Sequence, residues 1–83
     1  MAKILIYEKK TCPYCRKAKE FFTQKKIEFE TIDVEQNRPV VDELMKIHNW
    51  DTVPMIFIDG KMIGGFSDLM ELEKKGLLKK LLS

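Results

Sequence analysis

The sequence predicts an α/β fold with the element order β-α-β-α-β-β-α, and three observations predict it. The first is an apolar, β-branched run, Ile4-Leu5-Ile6-Tyr7, within residues 3–7. The second is helical periodicity from Tyr14 to about Lys25, followed by another extended stretch, Phe29 to Val34. The third is Asp59-Gly60, a strong two-residue hairpin signal between Met55-Ile56-Phe57-Ile58 and Lys61-Met62-Ile63.

Each element has a local reason. A continuous apolar run at residues 3–7 suits a strand buried on both faces. Pro13 fits the first helical position, where its missing N–H is no loss. Behind it Cys15, Ala18, Phe21 and Phe22 fall on one side of a helix, with Arg16, Lys17, Lys19 and Gln24 on the other. The strand over Phe29–Val34 completes a βαβ unit, whose strands are parallel and whose crossover is right-handed. A second helix starts at Asn37-Arg38-Pro39, with Val40, Val41, Leu44, Met45 and Ile47 expected on its buried side. His48 and Asn49 suit its last turn and C-cap. After the hairpin, Gly64-Gly65 breaks the fourth strand. Ser67 or Asp68 is expected to cap the next helix, Asp68 and Glu71 having capping-box spacing. Lys74 and Lys75 suit its C-terminal dipole. Gly76 ends it, and Leu77, Leu78, Leu81 and Leu82 form a short amphipathic tail.

Eighty-three residues form one domain, residues 1–83, and a chain of that size buries only roughly 60% of its unfolded surface. A net charge of +2 is too small to imply a nucleic-acid partner. No stretch approaches the roughly 18 apolar residues of a membrane span, so no membrane partner is expected. The apolar run at the N-terminus is too short for a signal peptide, and a cytoplasmic location is the expectation.

The two cysteines of the chain stand three positions apart in Thr11-Cys12-Pro13-Tyr14-Cys15, between a strand and a helix. In a reducing compartment this spacing points to redox catalysis rather than to a structural staple. Cys12 lies at or beside the helix N-cap, where free backbone N–H groups and the dipole favour the thiolate. Lys9 and Lys10 add positive charge. Cys15 falls one turn on, on the same side, within disulfide reach of Cys12. It should be more buried and act second, as the resolving thiol.

These residues resemble the glutaredoxin family, the short bacterial dithiol class in particular. The likeness spans essentially the whole chain. It rests on Lys9 three residues before Cys12, on Cys12-Pro13-Tyr14-Cys15, on Thr52-Val53-Pro54, and on Gly64-Gly65 followed by Ser67-Asp68. The resemblance implies a thioredoxin-like fold, a four-stranded mixed sheet with helices on both faces. It also implies reduction of protein disulfides and protein–glutathione mixed disulfides by a monomer, with no bound cofactor and glutathione as the reductant.

The resemblance assigns the glutathione site residue by residue. Pro54 is cis and faces the cysteines, leaving Val53, after Thr52, to pair its backbone with an extended tripeptide. Gly65, Ser67 and Asp68 form an anion site at a helix N-terminus for the γ-glutamyl end. Lys9 meets the glycyl carboxylate, and Tyr14 packs on the exposed rim. Two positions depart from the pattern: Asp51 replaces a basic residue, for which Arg38 or Lys46 is the substitute, and Phe66 replaces a cysteine. His48 and Trp50 receive no role, Trp50 being read as loop packing. The rival readings are a redoxin reduced by thioredoxin reductase and a carrier of an iron–sulfur cluster shared through Cys12 and glutathione. A structural zinc needs four ligands, more than two cysteines and one distant histidine supply.

Overall fold

A computed structural model describes residues 2–82. The elements run β1 (Ile4–Glu8), α1 (Pro13–Gln24), β2 (Glu30–Asp33), α2 (Arg38–Ile47), β3 (Met55–Ile58), β4 (Lys61–Gly64), α3 (Phe66–Lys74) and α4 (Leu77–Leu82). The four strands form one mixed sheet in the order β2-β1-β3-β4. β1 is parallel to β2 and antiparallel to β3, and β3 is antiparallel to β4. No helix among the described residues is long and apolar enough to cross a membrane.

Alternation along the central strands builds two cores, one on each side of the sheet. Ile4 and Ile6 of β1, with Ile56 and Ile58 of β3, pack against Ala18 and Phe22 of α1, Leu69 of α3 and Leu78 of α4. Tyr7, Met55 and Phe57 point the other way and pack with Val34 and with Val41 of α2. All four residues of β3 are buried, as a central strand with helices on both faces requires.

Single residues set the turns. Asp59 and Gly60 have φ of 51° and 81°, the left-handed pair that a tight two-residue hairpin needs. The Asp59 carboxylate accepts the Lys3 N–H at 2.8 Å and its own N–H donates to the Lys3 carbonyl at 2.8 Å, tying the hairpin to the start of β1.

Three expectations need correction. Val40 and Ile47 are 62% and 68% exposed rather than buried. They lie roughly 100–120° around α2 from Val41, and the sheet covers only the narrower strip of Val41, Leu44 and Met45. Second, neither Ser67 nor Asp68 is the N-cap of α3. Gly65 is the N-cap, and Asp68, at the third helical position, accepts the Gly65 N–H at 2.9 Å. Gly64, at φ 122°, turns the chain from strand to helix within one residue, so the helix starts earlier than its cap-like side chains suggest. Third, the tail after Gly76 is a helix, anchored by buried Leu78.

Candidate functional site

The strand-to-helix junction of β1 and α1 carries both cysteines. Cys12 is the N-cap of α1, with extended backbone (φ −95°, ψ 112°), and Pro13 follows as the first helical residue. The Cys15 N–H donates to Cys12 Sγ at 3.1 Å, so a sulfur takes the part that a serine or aspartate oxygen plays in most caps. An anionic sulfur accepts such a bond more strongly than a thiol does, and the helix dipole adds to the preference. Both cysteines are free; Cys12 is half-buried, whereas Cys15 is 1% exposed.

Burial pushes the Cys15 thiol up to about 12, with its hydrogen bond to Cys12 and the charges of Cys12 and Glu8 acting the same way. The Lys9 backbone N–H works against them. Cys15 is therefore a protonated, enclosed thiol directly behind a partly open one. Glu8, at the end of β1, is ion-paired with Lys19 at 2.6 Å.

Across from the cysteines lies the loop before β3. The Val53–Pro54 peptide bond is cis, and the Val53 carbonyl oxygen stands 3.6 Å from Cys12 Sγ as an acceptor of the thiol proton. Loss of that proton removes the donor and frees the carbonyl. A groove of about 690 Å³ runs from this loop to the start of α3, walled by Tyr14, Thr52, Val53, Pro54, Gly65, Ser67 and Asp68. The first-turn N–H groups of α3, at Phe66, Ser67 and Asp68, have no intrahelical acceptor, which suits this end to a carboxylate. Tyr14 is 57% exposed, with Phe66 at 6.1 Å between ring centroids and the Lys17 ammonium 5.1 Å over its face.

Not every residue singled out in the sequence lines this groove. Lys9 lies outside its lining, with its ammonium 3.7 Å from Glu35. Arg38 is engaged with Glu35 at 3.3 Å and Asp42 at 3.5 Å. Trp50 packs on the α2 side of the core, and it also lines the groove, its ring against Gly65: a Cβ there would lie 3.3 Å from Cζ2. Phe66, Met70, Glu71 and Lys74 complete the wall. Their helical spacing along α3 signals one shared face but not what that face meets. Among the described residues, no group of three or more His, Cys, Asp or Glu side chains is placed to hold a metal ion.

A capping cysteine, a buried second thiol one turn behind it, and the Val53 carbonyl beside the first sulfur define a thiol–disulfide exchange protein on a thioredoxin-like fold. The glutaredoxin family profile matches residues 4–63. The chain is 42% identical to Glutaredoxin 3 of Escherichia coli (strain K12) over 82 residues, covering 99% of both. It is 46% identical to Glutaredoxin 1 of Rickettsia bellii, covering 95% of this chain and 85% of that one. Among solved structures, buckwheat glutaredoxin in complex with glutathione superposes with a TM-score of 0.89 at 32% identity, covering 95% of this chain and 74% of that one. The solution structure of glutaredoxin from Brucella melitensis gives 0.85 at 36% identity, covering 99% and 89%. The chain belongs to the glutaredoxin family, and its chemistry is glutathione-dependent thiol–disulfide exchange.

Proposed function

We propose that this chain reduces protein–glutathione mixed disulfides and protein disulfides in the cytoplasm, as a monomer, with Cys12 as the attacking sulfur and glutathione as the electron source. The observation that carries the reading is the Cys12 sulfur held by the Cys15 N–H at 3.1 Å and lying 3.6 Å from the carbonyl of Val53, which lines a groove that ends on a helix N-terminus.

The Cys12 thiolate attacks a substrate disulfide sulfur, forming a mixed disulfide on Cys12 and releasing the other arm as a thiolate, which takes up a proton. When the arm left on Cys12 is glutathione, its tripeptide lies along the Val53 backbone with the γ-glutamyl carboxylate at Gly65–Asp68, and free glutathione completes the turnover. When that arm is a protein, Cys15 loses its proton and attacks Cys12 Sγ; the Cys12–Cys15 disulfide forms, the protein leaves as a thiol, and two glutathione molecules then reduce the Cys12–Cys15 disulfide and leave as glutathione disulfide. Burial, the largest cause of the raised Cys15 thiol pKa, persists in the mixed disulfide, so that second route is the slower of the two. Lys9 reaches the glycyl carboxylate by exchanging its contact with Glu35.

The test is a glutathione-coupled assay on a small mixed disulfide and on a protein disulfide, with both single variants. Cys12→Ser abolishes both activities; Cys15→Ser keeps the first and loses the second. Equal loss in the two variants defeats the assignment of roles.

A further inference from the structure

A mixed disulfide has two arms, and the groove receives only one. The charged side chains in the groove's wall are Asp68, Glu71 and Lys74, and Glu71 is paired with Lys75 at 3.2 Å, so the wall has no net charge. The other side of Cys12 is different. Between residues 9 and 19 stand five cations, Lys9, Lys10, Arg16, Lys17 and Lys19, and no acid. Lys9 is taken up by Glu35 and Lys19 by Glu8. Lys10, Arg16 and Lys17 are exposed, and among the described residues no carboxylate is within ion-pair distance of them. Lys17 is instead fixed over the Tyr14 ring, whose exposed edge adjoins Cys12 in sequence and the groove in space.

We propose that Lys10, in the turn before α1, and Tyr14, Arg16 and Lys17, in the first turns of α1, form the docking surface for the polypeptide arm of the substrate, and that it selects cysteines flanked by acidic residues. The inference rests on the mixed-disulfide chemistry proposed above. A row of exposed cations is ordinarily a solvated face. Here the three unpaired ones lie within a few residues of the reacting sulfur, and one of them, Lys17, stands over an aromatic ring that offers a peptide an apolar contact. Their charge is positive beside the reacting sulfur, and the groove wall carries no net charge to oppose it. Rim charges of this kind act on encounter more than on residence, so the preference is an effect on rate that salt removes.

Two glutathionylated peptides, alike except for Asp/Glu or Lys residues beside the cysteine, provide the test. In a single turnover without free glutathione, the Cys12 thiolate attacks the glutathionyl sulfur; the peptide disulfide breaks, a Cys12–glutathione disulfide forms, and the peptide thiolate takes a proton from solvent. Release of the peptide thiol is the readout. The acidic peptide should react about tenfold faster at low salt and lose its advantage near about 0.5 M salt. Arg16→Glu should shrink the preference several-fold, and Arg16→Lys should retain it. Equal rates for the two peptides, or a preference that survives salt or the Arg16→Glu change, overturns the proposal. Turnover of a small uncharged mixed disulfide with glutathione, read near about 0.5 M salt where the field is screened, reports separately on the function proposed above and should be the same in wild type and Arg16→Glu.

Discussion

Raising the pH of the reduced protein should destabilise it in a way that a Cys15→Ser variant escapes. Cys15 is 1% exposed, and its thiol is pushed from 9.0 up to about 12, first by burial and then by Cys12 and Glu8. In the unfolded chain the thiol ionises above about 9; in the folded chain it keeps its proton to about 12. Across that window the unfolded state binds fewer protons, so stability falls as pH rises. The contribution is fully present below about pH 9, and its whole span is ~4 kcal/mol, since each pH step of one across the window removes ~1.4 kcal/mol. At about pH 10 roughly 1.4 kcal/mol should be gone, or about 6–11 °C in melting temperature for a domain of this size. The assay is thermal melting under anaerobic, reducing conditions from about pH 8 to about pH 10, taken as the difference between wild type and Cys15→Ser. All other side chains are common to the two proteins, so their contributions cancel in the difference. Parallel curves would refute the reasoning, because they would mean the thiol ionises as readily folded as unfolded.

Four further substitutions, two of them controls, test the frame that holds the site. Gly64→Ala forces a side chain into φ 122° and drives its Cβ into the Asp68 carboxylate, so it should cost about 2–3 kcal/mol and weaken glutathione binding by displacing the Gly65–Asp68 contact. Gly60→Ala, at φ 81° with open space around it, should cost about 1 kcal/mol and leave binding alone; equal urea midpoints for the two would discredit the role given to Gly64. Phe22→Ala removes a fully buried ring packed against Phe21 and Phe29 at centroid distances of 5.4 and 6.0 Å, and should cost about 3–5 kcal/mol. The exposed Val40→Ala should stay within about 0.5 kcal/mol, measured by the same denaturation.

What the sequence made legible divides by the range of the cause. Pro13, Asp59-Gly60 and Gly76 act on their own dihedrals, so their turns are readable without neighbours, and each turn lies where the residues put it. The burial of α2 is not local in that sense. Val40 and Val41 are equally apolar, and only the width of sheet beneath the helix decides that one is exposed and the other fully covered. The same limit applies to the start of α3. Ser67 and Asp68 have the chemistry of caps, yet the helix begins at Phe66, because Gly64 lets β4 run straight into it.

The site shows how the two ranges meet. Cys12 and Cys15 are neighbours by helix geometry alone, whereas Thr52–Pro54 and Gly65–Asp68 come from separate segments whose partnership is invisible to periodicity and is legible only through family resemblance. The sheet supplies the missing link. β3 lies between β1 and β4, so the loop that enters β3 and the turn that leaves β4 emerge at the same edge as the end of β1. That edge is where Cys12 caps α1. Trp50 follows from the same arrangement: Asn49 at φ 52° reverses the chain after α2, the Trp50 N–H donates to the Met45 carbonyl at 2.8 Å, and the indole is brought against Gly65. Its place in the groove depends on a residue in another element having no side chain. A bulkier residue at 65 would push the ring and the helix N-terminus apart, so the groove is set as much by the missing Cβ of Gly65 as by any group that lines it.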